Sequence, residues 1–242
     1  TTLTQAEDNL FQQGSVLPPK DGTIIRGKVN PQIYLVDKGT IKLFSAYTFS
    51  QRKITTKQIV IVPDDEVVTY EKNGFVAPLD GTLVKASNDT IVYLIENGLR
   101  RAVTGDIFKN RGFSFKKVAV LSADEINGIT IGSYATPKDK TFFAVEQGGP
   151  LYIFKEGTKH PISTYVAKQR KVTPDYTFPQ PVAIQWYDGI PIPPKDNTLV
   201  KGDNDGTVFL VVAGQLRPLT AEAFKRRKFF AKNIVILGQI EV

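Results

Sequence analysis

The chain is constrained above all by an internal repeat. Glycine falls at Gly39, Gly98, Gly157 and Gly214, at steps of 59, 59 and 57 residues. Tyr34, Tyr93, Tyr152 and Phe209 keep the same steps, as do Arg52, Arg111, Arg170 and Arg227. So do Pro19, Pro78, Pro137 and Pro194, each two residues before an aspartate: Asp21, Asp80, Asp139 and Asp196. Several residue types in one register mark a tandem array, whose unit buries too little by itself and must pack on its neighbours.

The second copy reads most clearly. Asp80-Gly81-Thr82 is turn chemistry, followed by a short strand at Leu83-Val84-Lys85. Thr90 to Ile95 is a β-branched and aromatic run, and Asn97-Gly98 predicts a hairpin into a third strand at Leu99 to Val103. Thr104 is the expected N-cap of a short helix, and Ser45, Ser163 and Thr220 occupy the same slot. That helix ends at Arg111-Gly112. A fourth strand is expected at Val118 to Leu121, matching Ile59 to Val62 and Ile234 to Leu237. In the third copy it is placed at Val182-Ala183-Ile184, after an insertion at 173–180. An extended, glycine-containing tail then leads to the next Pro-x-Asp. The units are 21–79, 80–138, 139–195 and 196–242 of one repeat domain.

The fourth copy ends on its fourth strand, and residues 8–21 match the missing tail in the spacing and chemistry of Tyr187 to Asp196. Residues 1–20 therefore read as a closing or donor segment. Completing the last unit of the same chain gives an all-β, four-bladed propeller-like ring with small peripheral helices. Completing the last unit of another molecule gives a head-to-tail filament. The ring is the expected form, and polymerisation by strand donation is the alternative.

Composition narrows the class. No run approaches the roughly 18 apolar residues of a membrane span. Cysteine and methionine are both absent, which removes disulfides and thiol chemistry and favours an oxidising, extracellular setting. Thr1, in place of an initiator methionine, reads as a processed end. A net charge of +7 favours anionic partners, but the basic residues are interspersed with acids, so nucleic acid is not favoured.

Leu199-Val200-Lys201, Thr207 to Leu210, Gly214, Arg217-Pro218-Leu219-Thr220 and Phe224 together resemble repeats of secreted bacterial surface and wall-associated proteins. The resemblance implies attachment or scaffolding at the cell surface and carries over no catalytic residue.

Three sets of residues are candidates for binding. Lys42, Arg101, His160 and Arg217 lie three residues after each turn glycine and would form a cationic cradle if the four copies converged. Solvated strand faces are the ordinary alternative for that set. Arg26, Lys85 and Lys201 sit near the end of each first strand, with Ala144 breaking the set. Trp186 and Tyr187, in the divergent third copy, suit a sugar ring, although core filling is the commoner fate of a tryptophan.

The recurring arginine is expected to cap its own helix. Asp203 to Gly206 is a tight turn and not a calcium loop, and Asn88-Asp89-Thr90 is a bare sequon. The lone histidine has no triad or metal partner in recognisable spacing, so no cofactor and no enzyme activity are expected. The sequence thus predicts a non-catalytic extracellular module binding an anionic or glycan surface polymer.

Overall fold

The computed structural model describes residues 16–204 and 206–237. The closing segment read at residues 1–20 lies outside the described residues up to residue 15. In the first copy the strands are β1 (Ile24–Gly27), β2 (Ile33–Asp37), β3 (Thr40–Leu43), β4 (Ile59–Val62) and β5 (Lys72–Phe75), with helices α1 (Ala46–Gln51) and α2 (Asp64–Thr69). The second has β6 (Leu83–Ala86), β7 (Val92–Glu96), β8 (Leu99–Val103), α3 (Gly105–Asn110), β9 (Val118–Leu121) and α4 (Ala123–Asn127). The third has β10 (Thr141–Val145), β11 (Leu151–Lys155), β12 (Thr158–Ile162), α5 (Thr164–Arg170), β13 (Tyr176–Phe178) and α6 (Gln180–Ala183). The fourth has β14 (Leu199–Gly202), β15 (Val208–Val212), β16 (Gln215–Leu219), α7 (Ala221–Arg226) and β17 (Ile234–Leu237).

Each copy makes its own sheet. The first three strands form the expected antiparallel meander, and the fourth returns beside the first, parallel to it. The spatial order is therefore 4-1-2-3. The hairpin between second and third strands turns on Lys38-Gly39, Asn97-Gly98, Glu156-Gly157 and Ala213-Gly214, with both central residues at positive φ. That is the type I′ geometry, and it explains why glycine recurs at the second position. The recurring aspartate braces the turn: Asp80 accepts from the N–H groups of Asn97 and Gly98, and Asp196 from those of Ala213 and Gly214. Asp21 accepts from the N–H of Gly39 in the same way.

The tail has its own place. In the first copy β5 pairs parallel with β3, and in the next two single bridges join Ile131 to Arg100 and Asp188 to Lys159. The tail thus covers the outer edge of the third strand in three copies.

Two expectations need correction. The fourth strand of the third copy is β13, inside the segment read as an insertion, and Val182-Ala183 is helical in α6. Pro179 and Pro181, which start that helix well and strand ladders poorly, give the reason. The tail also begins with a short helix in each of these copies, α2, α4 and α6, where an extended chain was expected.

The molecule is mostly β with four similar sheets and small helices, as read from sequence. The sheets are separate, so closure of a four-bladed ring is not among the described pairings. The chain divides into two compact units. One runs to Val103 and includes Ser114–Gly132, and the other holds Thr104–Phe113 and the chain from Ser133. The helix α3 of the second copy therefore belongs with the third.

The cores repeat in register. Ile25, Tyr34, Val36, Val62 and Tyr70 cluster in the first copy, and Val84, Tyr93, Ile95, Leu121 and Ile129 in the second. The third copy fills the same slots with Phe143, Tyr152, Phe154, Phe178 and Trp186, which stack or meet edge to face at centroid distances of 5.2–5.8 Å.

Candidate functional site

The recurring polar residues build a joint between one copy and the next. The helix after the third strand starts on the predicted caps, with Ser45, Thr104, Ser163 and Thr220 each accepting a first-turn N–H. At its other end the recurring arginine reaches toward the chain that leaves the copy. Arg52 Nη2 donates to Ala77 O, Arg111 Nε to Thr136 O and Arg170 Nη2 to Pro193 O, each at 2.8 Å. Each accepting carbonyl immediately precedes the recurring proline, at the end of the same copy and just before the first turn of the next.

The residue before the arginine completes the joint. Gln51 donates to Thr82 Oγ1 at 2.8 Å and accepts from the Leu79 N–H at 2.8 Å. Asn110 does the same with Thr141 Oγ1 (3.0 Å) and the Lys138 N–H (2.7 Å), and Gln169 with Thr198 Oγ1 (2.9 Å) and the Lys195 N–H (2.7 Å). A side-chain amide suits this place because it alone offers a donor and an acceptor side by side. Tyr47 and Tyr165, on the helices, pack against the core of the following copy. The arginine thus holds the chain leaving its own copy, and the amide beside it carries the bond to the next copy's threonine. Its sequence signal was present: the amide at 51, 110 and 169 and the threonine at 82, 141 and 198 recur with it.

The basic slots are handled copy by copy. Lys42 pairs with Asp37 at 2.6 Å, and Arg101 lies 3.5 Å from Glu96, each an acid at the end of the preceding strand in the same hairpin. His160 bonds Thr158 through Nε2 (2.9 Å) and Ile190 O through Nδ1 (2.8 Å). Its ring fills the space a side chain at Gly189 would need, since a Cβ there would come within 2.3 Å. Arg217 stands opposite Leu210 on β16, and is exposed. Arg26, Lys85 and Lys201 do share one register position, facing Ile61, Val120 and Ile236 of the fourth strand. Ala144 faces Thr177 there and is buried. Lys85 reaches Asp89 O at 3.4 Å, and the buried Nε of Arg26 has no hydrogen-bond partner. Among the described residues no bond joins one slot to the next copy's slot.

The third copy departs most from the others. Trp186 is 3% exposed in the aromatic core and its face is closed to a sugar ring, which corrects its reading as a stacking platform. Tyr187 beside it is exposed. Sequence reasoning missed Lys159, which is 6% exposed. Its Nζ donates to Trp186 O at 3.0 Å, pairs with Asp188 at 2.6 Å and lies over the Tyr152 ring. The lysine staples the tail to the third strand as Arg100 does in the second copy through Ile129 O. A cleft of about 460 Å³ opens beside this pair, lined by Gln147 to Pro150, Tyr152, Lys159, Gln180 and Asp188. Burial, then the charge of Asp188, raises the Tyr152 pKa and keeps the phenol neutral.

Among the described residues there is no group of three metal-ligating side chains, and no helix is long and apolar enough to cross a membrane. No family model matches the chain, and no curated protein does. Among solved structures it is similar to a chain of the periplasmic assembly from the ESX-5 inner membrane complex, at 11% identity over 91% of this chain and a TM-score of 0.20. A chain of an intact ESX-5 inner membrane complex is similar at 12% identity, 94% coverage and a TM-score of 0.21. This chain spans 58% and 51% of those two, and at such TM-scores the likeness says nothing of fold or function.

Proposed function

We propose that this chain is a non-catalytic, extracellular scaffolding module that presents basic strand residues to an anionic or glycan polymer at a bacterial cell surface. The observation that carries this reading is the joint. The repeat's recurring polar residues hold one copy to the next, so the unit's chemistry is directed at building an array and not at a reaction centre. A net charge of +7 supports an anionic partner, and the absence of cysteine and methionine suits an oxidising exterior. Within the array, Lys85, Lys201 and Arg217 have no carboxylate partner among the described residues and are the cations best placed to meet a polymer.

Retention on immobilised dextran sulfate, with neutral dextran as control, tests the proposal. The chain should bind at low ionic strength and elute toward 1 M salt, where the screening length falls to about 3 Å. Lys85→Gln, Lys201→Gln and Arg217→Gln together should shift elution to lower salt and leave melting nearly unchanged. Absence of retention at low salt would refute the anionic partner.

A further inference from the structure

A hollow beside the short helix occurs in the first copy and again, enlarged, in the fourth. In the first copy it is lined by Pro31, Ile33, Leu43, Phe44 and Phe49 and holds about 310 Å³. Phe44 and Phe49 meet edge to face there, with ring centres 6.2 Å apart. In the fourth copy the positions of Pro31, Ile33, Phe44 and Phe49 are taken by Gly206, Val208, Leu219 and Phe224. With Ala231 and Ile234 they line a hollow of about 500 Å³. Glycine for proline and leucine for phenylalanine remove wall volume, which accounts for the larger space. Its wall is apolar, and every lining residue lies in one copy and one compact unit.

The rim of the enlarged hollow is cationic. Lys225 lines it from α7, at the position of Ser50 in the first copy. Next to the lining Ala231 stand Phe230 and Lys232, with the Lys232 ammonium 5.7 Å from the centre of the Phe230 ring. Lys225, Lys228 and Lys232 are exposed and have no carboxylate partner among the described residues. Phe229 packs on Phe224, but Phe230 is 62% exposed. Lysines alone would be an ordinary solvated face. A bare phenyl ring among three of them, beside an apolar hollow, marks a surface that meets an apolar partner as well as a negative one. The surface does not depend on the joint. In the first copy Ser50, Lys53, Thr55 and Lys57 hold the places of Lys225, Lys228, Phe230 and Lys232, and all four are exposed although Gln51 ties α1 to the second copy. The hollow of that copy is open as well, so a joint made at α7 would leave this surface uncovered.

We infer that this surface of the fourth copy docks on an anionic lipid bilayer. Lys225, Lys228 and Lys232 meet the phosphate headgroups, Phe230 enters the boundary between headgroups and acyl chains, and the hollow takes the apolar part of one lipid. Lysine suits the rim because its stem lies along apolar surface while the ammonium stays at the headgroups. A soluble polyanion would satisfy the lysines, but it offers nothing to the ring or to the hollow, which gain only by leaving water. A lysine beside an anionic membrane strengthens partitioning about fivefold. Partial burial of a phenyl ring adds about tenfold. Three lysines and one ring thus give reversible, peripheral binding without a spanning helix. This inference goes beyond polymer binding and rests on residues other than Lys85, Lys201 and Arg217.

Co-sedimentation with vesicles of equimolar phosphatidylglycerol and phosphatidylcholine tests it, with pure phosphatidylcholine vesicles as control. The chain should pellet with the anionic vesicles and stay in solution with the control. Lys225→Gln, Lys228→Gln and Lys232→Gln together should lower partitioning about a hundredfold. Phe230→Ser should lower it about tenfold and leave retention on dextran sulfate unchanged, which separates this surface from the polymer reading. Leu219→Phe restores the side chain that the first copy carries, so it should melt close to the parent and bind the vesicles more weakly. The chain's one tryptophan, Trp186, is buried, so Phe230→Trp adds an exposed reporter whose emission should shift to the blue on anionic vesicles. No binding, or equal binding to both kinds of vesicle, would overturn the inference. So would binding that the lysine variant abolishes while Phe230→Ser keeps it and Phe230→Trp shows no shift, because the contact would then be electrostatic alone. Binding undiminished in the lysine variant would place the contact on another surface and overturn it equally.

Discussion

The helices α3 and α7 are the same element of the repeat in two different settings. Both follow the third strand, both start on a threonine cap and both end beside a recurring arginine. Yet Ile107 is fully buried on α3, Asn110 and Arg111 are bonded to the turn of the next copy, and the helix belongs to the compact unit of the copy it binds. On α7 the matching residues are Ala223, Arg226 and Arg227, and nothing described covers them. A capped short helix does not need the joint to form, whereas its polar face acquires a structural task only where the chain passing into a following copy supplies the carbonyl and the N–H. The same arginine is a clamp in one place and, among the described residues, a cation without a bonded carbonyl in the other.

The largest expected effect separates the two helices by packing. Ile107→Ala should destabilise the chain by about 2–4 kcal/mol in denaturant unfolding, because it opens a cavity under α3. Ala223 on α7 already has this truncation, so a loss of less than 1 kcal/mol at Ile107 would show that the joint is not closely packed. A smaller effect separates them by hydrogen bonding. Arg111→Ala removes a charged donor from a half-buried carbonyl and should cost about 1.5–3 kcal/mol. Arg227→Ala, in dilute protein, should change stability by no more than about 0.5 kcal/mol. Equal losses at the two arginines would mean that the residue stabilises its own helix, as the sequence alone suggested.

Much of the fold was legible in the sequence because its signals are local. The glycine at the hairpin, the hydroxyl cap and the β-branched run at Thr90 to Ile95 each fix the geometry of a few neighbouring residues, so each strand of the second copy fell where it was expected. The fourth strand of the third copy was misplaced because Val182-Ala183-Ile184 has the apolar look of a strand, while Pro179 and Pro181 turn it into a helix. The side of the sheet to which that strand returns was not legible, since parallel pairing with the first strand depends on contacts far apart in sequence. The site was less legible still. Arg52, Arg111 and Arg170 were recognised as recurring, but their acceptors lie 23–25 residues further on, at the far end of the copy. Lys159 was overlooked because it matches Ile41 and Leu216, and nothing in the sequence shows that Asp188 and the Trp186 carbonyl will surround it.

Residue-resolved hydrogen exchange on dilute protein tests the central claim most directly, because one backbone N–H reports each joint. Leu79, Lys138 and Lys195 donate to the side-chain amides of Gln51, Asn110 and Gln169, and Lys20 is their equivalent just ahead of the first copy. The account predicts protection at the first three and faster exchange at Lys20. Fast exchange at all four would show that the joints do not hold the array together.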